Sequence, residues 1–303
     1  MVTRLLTIIL IFVVSSLVWL CWKDGSKEKE GDQQSDLSLS VSNTTFQVPL
    51  QKEETPFDLP SDGMATETFT GALGGVVPHH LVASSFLAEF FTLLKNREPV
   101  PGTILLLAPN HGELGESNIQ TADFLWKTAF GEVATDQSLL RMVEKAGVAI
   151  VPQSFENEHG IYSILPYIAH FLPDTKIVPV IFKYQTSSRE IEAFSQAVTR
   201  EMAQRNIFIV SSVDFSHYLP QGEAERKDEE TIAAIKNFDA SRIARFGSDH
   251  LDSPASILIL LRIGQILDTT GITVLRHGNS AENIRSRNSS TTSHFTFFLH
   301  PKP

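Results

Sequence analysis

Three apolar runs in this 303-residue chain lead into histidines. Gly74-Gly75-Val76-Val77-Pro78 runs into His79 and His80, and Ile104-Leu105-Leu106-Leu107-Ala108-Pro109-Asn110 into His111. Ile207-Phe208-Ile209-Val210 is followed by Ser211-Ser212-Val213-Asp214-Phe215-Ser216-His217. Apolar, β-branched-rich runs of this kind read as strands buried on both faces. In open α/β sheets, ligands bind outside the carboxyl ends of the strands. Neutral imidazole is the commonest metal ligand and suits iron, zinc or copper alike. Two or three of these histidines could therefore ring one point. A loop histidine is the plainer account of any one of them, and helix capping is that of Asp214 and His217. Three histidines in one position on successive strands favour a site. His159 is a fourth candidate, at a helix start beside Glu158, with a solvent-exposed helix terminus as its alternative. His170, His250, His277, His294 and His300 have no comparable setting and read as structural or surface residues.

The elements that must position these residues alternate between strand and helix patterns from about Ala65 onward. That alternation predicts a single α/β domain with a mixed or parallel sheet flanked by helices. Strands are expected at 74–77, 103–108, 148–152, 177–182, 207–214, 272–275 and 294–299. Helices are expected at 81–95, 137–145, from the 155–160 stretch to 171, 187–205, 223–237 and 255–267. Asp136 suits an N-cap, and Ser187-Ser188-Arg189-Glu190 matches a capping box. Ser253-Pro254 suits an N-cap followed by the first helical position. The Ser/Asn/Arg-rich loop 278–292 is long enough to be functional or mobile.

Leu5–Trp22 is a run of 18 residues broken only by Thr7, Ser15 and Ser16, about the minimum for a membrane-spanning helix. Its bulky end, Trp19-Leu20-Cys21-Trp22, offers no small-x-small cleavage site. The expected organisation is a transmembrane anchor over 1–23, a flexible linker over 24–64 and the α/β domain over 65–303. The linker is rich in Ser, Gln, Glu, Lys and Asp and poor in large apolar residues. Arg4 favours an inside amino terminus, which places the tethered domain outside the cytoplasm, although Lys23, Lys27 and Lys29 weaken that bias. With 35 acidic against 25 basic side chains, the net charge of −10 argues against nucleic acid as a partner. One cysteine, Cys21, excludes an intrachain disulfide framework and a multi-cysteine zinc site.

The ordered set Pro78-His79, Pro109-Asn110-His111, Glu158-His159, Leu165-Pro166-Tyr167 and Ser211-Ser212-Val213-Asp214-Phe215-Ser216-His217 resembles the Memo family. This is the family of the AmmeMemoRadiSam system protein B, and the resemblance spans about 71–299. It implies a fold similar to class III extradiol dioxygenases, non-heme iron enzymes with two histidines and one carboxylate on the metal. It matches His79 and His111 to metal ligands, and Asp214 and His217 to an Asp-x-x-His stretch whose histidine acts as acid–base in the dioxygenases. This chain departs from the family in two places. His80-Leu81-Val82 stands where Ala-Gly-Tyr is common, and Asn110-His111-Gly112 where Ser-His-His is frequent. The family's third ligand can be a cysteine before the penultimate helix. Aligning helix starts puts Asp252 there, where it could equally serve as favourable charge at a helix N-terminus.

The resemblance thus implies one divalent metal on His79, His111 and Asp252, iron(II) preferred and zinc or copper as alternatives. A face of two histidines and one carboxylate leaves positions open for dioxygen or substrate. His217, held by Asp214 or a nearby carbonyl, would move protons, and His159 would hydrogen-bond the substrate, an unknown small molecule or peptide. The expected activity is dioxygenase-like. Its rivals are a zinc-type hydrolase and a non-enzymatic peptide- or partner-binding module.

Overall fold

Two layers of apolar side chains on one sheet account for most of the architecture in the computed structural model, which describes residues 44–49, 69, 71–283 and 290–302. Its strands are β1 (Thr45–Gln47), β2 (Gly74–Val77), β3 (Thr103–Pro109), β4 (Ile119–Thr121), β5 (Leu125–Thr128) and β6 (Gly131–Ala134). After them come β7 (Ala149–Ile150), β8 (Lys176–Phe182), β9 (Ile207–Ser212), β10 (Gly271–Asn279) and β11 (Ser293–His300). The main sheet has the order β10-β11-β2-β9-β3-β8-β4-β7, and β1-β5-β6 form a separate three-stranded sheet. The centre, β2-β9-β3-β8, is parallel. β11 runs antiparallel to β2, and β4 antiparallel to β8, so the sheet is mixed.

Side chains alternate across the pleat. Leu105, Leu107, Val178, Val180 and Ile209 face the helices Ser188–Met202 and Pro254–Ile266, meeting Phe194, Val198, Ile257 and Leu260. Ile104, Leu106, Ile181, Phe208 and Val210 face the helices Ser84–Lys95 and Leu165–Phe171, meeting Phe90, Phe91 and Tyr167. The parallel strands are therefore buried on both faces, as their unbroken apolar sequence requires. The helix starts are the ones the sequence marks. Asp136 accepts from the N–H groups of Ser138 and Leu139, Ser187 and Glu190 form a complete capping box, and Ser253 caps the helix that Pro254 begins.

Other expectations are revised. The helix expected up to 171 is broken into His159–Tyr162 and Leu165–Phe171. Pro166 falls in the first turn of the second piece, where its missing N–H does not cost a helical bond. Within the expected linker, Thr45–Gln47 pairs in parallel with Leu125–Lys127, and Phe46 lies against Trp126 at 5.2 Å. Of the loop 278–292, Ser280–Asn283 forms a helical turn, and Thr291 bridges to Leu219.

The fold class with an N-terminal transmembrane anchor, and the membrane-anchored localisation built on it, are corrected. Among the described residues no helix is long and apolar enough to cross a membrane. A span needs about 20 apolar residues. The apolar helix Pro254–Ile266 has 13 and is buried against the sheet, and the 16-residue Gln221–Lys236 is rich in charge. Leu5–Trp22 lies outside the described residues. The fold class that stands is a mixed α/β domain.

The glycine pair in β2 has a steric cause. A Cβ on Gly75 would lie 2.5 Å from the Phe297 carbonyl oxygen and 2.7 Å from the Phe90 ring. Gly75→Ala should therefore destabilise the protein by about 1–3 kcal/mol through overpacking. Chemical denaturation of parent and variant measures it, and an unchanged midpoint would contradict the close approach of β11 to β2.

Candidate metal centre

The carboxyl ends of β2, β3 and β9 bring His79, His111 and His217 to one side chain. Asp252 Oδ2 lies 3.2 Å from His79 Nε2, 3.8 Å from His111 Nε2 and 4.0 Å from His217 Nε2. Each ring is held through its other nitrogen. His79 Nδ1 meets Ser212 Oγ at 3.1 Å, His111 Nδ1 meets Glu158 Oε1 at 2.6 Å, and His217 Nδ1 meets the Ser248 carbonyl at 3.2 Å. A carbonyl only accepts, so His217 Nδ1 is the donor and the lone pair of the neutral ring sits on Nε2, toward Asp252. Contacts of this kind orient metal-ligating imidazoles.

The backbone fixes the same groups. The His79 N–H donates to Asp214 Oδ1 at 3.2 Å, and the His111 N–H to Glu158 Oε2 at 2.8 Å. Asp252 N–H donates to the Asp214 carbonyl at 3.1 Å, and the Asp214 N–H returns a bond to Asp252 Oδ2 at 3.3 Å. The end of β9 and the start of the helix Pro254–Ile266 thus clasp each other at the site.

Electrostatics follow from this crowding. Burial lowers the affinity of His79 for a proton, but the charges of Asp214 and Asp252 outweigh it and raise its pKa. Burial acts likewise on His111, where Asp252 and Glu158 prevail and the pKa is pushed up to about 10. His159 goes the other way, lowered to about 4 by burial and then by the neighbouring His79 and His111. Burial would raise Asp252, but His79 and His111 lower it, and Asp214 is lowered in the same way by His79 and His294. Without metal, protonated imidazoles balance buried carboxylates, which is the charge a divalent cation would replace.

Two His/Asp groups have donor atoms close enough to share one ion: His79, His111 and His159, and His79, Asp214 and Asp252. The residues fit a metal on an independent observation, since the buried Asp252 Oδ1 has no hydrogen-bond partner. A carboxylate oxygen left this way is costly unless a cation meets it. His159 stacks on His111 with ring centroids 4.0 Å apart and planes at 24°. Near-parallel rings aim their in-plane lone pairs side by side, which suits Asp252 better than His159 as the partner of His111.

Every sequence candidate lies in this cluster, and of the two holders considered for His217 the nearby carbonyl is the one found. His217 is held by the Ser248 carbonyl, while Asp214 faces His79 and His294. His294, read from sequence as structural or surface, is fully buried with Nδ1 3.3 Å from Asp214 Oδ1. The antiparallel register of β11 on β2 brings it to the site, and no local motif announces that.

The pKa of His111 carries a prediction. Raised above its ordinary 6.5, it gives the folded metal-free chain stability that is complete below 6.5 and lost as pH rises through about 10. A metal must displace that proton, so affinity should climb by about tenfold per pH unit around neutrality, with at least one proton released. Calorimetric titration in buffers of different ionisation enthalpy counts the proton. Binding without release would remove His111 from the ligands.

Comparison with known proteins gives the chain a family. The family model described as Memo-like protein matches residues 64–297. The chain is 28% identical over 220 residues to a MEMO1 family protein of Pyrobaculum arsenaticum, covering 70% of this chain and 78% of that one. It is also 28% identical over 219 residues to a MEMO1 family protein of Desulfurococcus amylolyticus, covering 70% and 73%. The crystal structure of the uncharacterized protein JW3007 from Escherichia coli K12 matches with a TM-score of 0.50 at 14% identity, over 74% of this chain and 98% of that one, and is similar in fold alone. With the family model covering β2 to β10, the histidine-bearing loops and Asp252, the chain belongs to the Memo-like protein family.

Proposed function

We propose that this Memo-like protein binds one divalent metal, iron(II) by preference, through His79, His111 and Asp252, and carries out dioxygenase-like oxidation of a small molecule. The observation that carries this reading is the convergence of three imidazole Nε2 atoms on one carboxylate oxygen within 4.0 Å, each ring held by its Nδ1. Two imidazoles and a carboxylate favour iron(II), and when bound the ion would supply a Lewis acid that can also donate an electron. His217 accepts a proton at Nε2 and gives it back, with the Ser248 carbonyl steadying the imidazolium. His159, neutral at pH 7 with a pKa near 4, hydrogen-bonds the substrate without protonating it.

A second reading has its own support. His217 Nε2 is nearly as close to Asp252 Oδ2 as His111 Nε2 is, 4.0 against 3.8 Å. As a ligand beside His79 and His111 it would complete a three-histidine set that leaves the fourth position open to water, an arrangement suited to zinc and to hydrolysis. Elemental analysis of the chain purified without oxygen separates the two, together with oxygen uptake. One iron per chain and oxygen consumption are expected. Stoichiometric zinc with no uptake would reject the oxidative reading, and a metal-free chain unaffected by chelators would reject both.

A further inference from the structure

Beside the histidines opens a cleft of about 410 Å³, lined among others by His111, Glu113, Tyr184, Ser248 and Asp252. That volume suits a small molecule. One wall is a built loop. Asn110 is buried and closes it twice on Leu114, with Nδ2 donating to the Leu114 carbonyl at 2.9 Å and Oδ1 accepting the Leu114 N–H at 3.1 Å. Between them Glu113 adopts a left-handed backbone, φ 49°, with its N–H bonded to the Asn110 carbonyl at 3.0 Å. Residues held in such sparsely populated conformations by an over-determined surround cluster at ligand sites. The Lys183 ammonium is engaged by the Gly115 carbonyl, and among the described residues no Lys or Arg pairs with Glu113.

Next to this loop the lining is aromatic. Tyr184 donates its N–H to Glu113 Oε1 at 2.8 Å and its hydroxyl to the Phe246 carbonyl at 3.3 Å. Tied at both ends, the residue is still 64% exposed. A carboxylate without a counter-ion beside an anchored, open aromatic face is the chemistry that recognises an ammonium or guanidinium group. We propose that Glu113 and Tyr184 form a cation subsite at the mouth of the metal cleft. The substrate is then a small molecule with oxygen donors at one end and a cationic nitrogen at the other. This rests on the metal reading above and adds the substrate's charge to it.

The test uses three hydroxamates with tails of matched length: aminocaproic hydroxamate, caproic hydroxamate and adipic monohydroxamate. Their chelating ends are alike and their tails are cationic, neutral and anionic. Metal content is measured first on the full chain, then affinity by calorimetry. The cationic probe should bind about tenfold tighter than the neutral one, and the anionic one weakest. Glu113→Gln keeps the acceptor for the Tyr184 N–H and should erase the preference, with metal content unchanged. Tyr184→Leu should reduce it. Equal affinities of the three probes in the metal-loaded parent overturn the subsite while the metal centre stands. If the chain takes up no metal, the metal reading falls, and hexylammonium is compared with hexanoate on the metal-free chain. No preference dependent on Glu113 in that comparison overturns the subsite as well.

Discussion

Asp252→Asn should lower metal affinity by about a hundredfold or more, since even a change beyond the ligands costs ten- to a hundredfold. Three imidazoles converge on Asp252 Oδ2, and its buried Oδ1 is without a partner. Asparagine keeps the size and an oxygen for the Asp214 N–H that Asp252 now accepts. It removes the charge that offsets a cation. The metal-free chain would also lose the partner that raises His79 and His111, and with it some stability near neutral pH, so metal affinity is the discriminating readout. Asp252→Cys should restore binding and shift preference toward zinc or copper(I). If Asp252 serves only as negative charge at a helix start, both variants should cost about 0.3–1 kcal/mol of stability and leave affinity alone. Titration of iron(II) and zinc into parent and variants decides it, and unchanged affinity in Asp252→Asn sinks the three-ligand site.

His217→Ala should retain the metal and lower turnover by about 10²–10⁴-fold, the range for a lost acid–base group. The Ser248 carbonyl holds the Nδ1 proton and leaves the Nε2 lone pair toward the site. His79→Ala is the reference, since its buried ring contacts both Asp214 and Asp252 and its loss should empty the site. Equal metal loss in the two variants would make His217 a ligand and favour the hydrolytic reading. Elemental analysis and an oxygen electrode on the same samples give both numbers.

What the sequence makes legible here is what depends on near neighbours. The runs of β2, β3, β8 and β9 announce themselves because both faces are buried, and the caps at Asp136, Ser187 and Ser253 because they satisfy helical N–H groups within four residues. His79, His111 and His217 follow at once from strand ends. The strands β4, β5 and β6 are three or four residues long and too short to show a period. Thr45–Gln47 becomes a strand only because Leu125–Lys127 lies beside it. The partners of the imidazoles are likewise tertiary. Glu158 reaches His111 across 47 positions, and His294 reaches Asp214 across 80. Neither pairing leaves a mark in its own stretch of chain.

The clasp between Asp214 and Asp252 has a consequence for folding. Its two halves are 38 positions apart, and the His79 amide that also grips Asp214 lies 135 positions away. No fragment that omits either the turn after the first apolar run or the segment before Ser253 holds the full donor set, so the proposed ion would enter only a chain whose distant segments have already met. Such an ion stabilises the native state alone, by about 2.7 kcal/mol at a hundredfold excess over its dissociation constant. On the proposed metal reading a chelator would act as a mild denaturant of the whole domain, and every chain carrying metal would be a folded one.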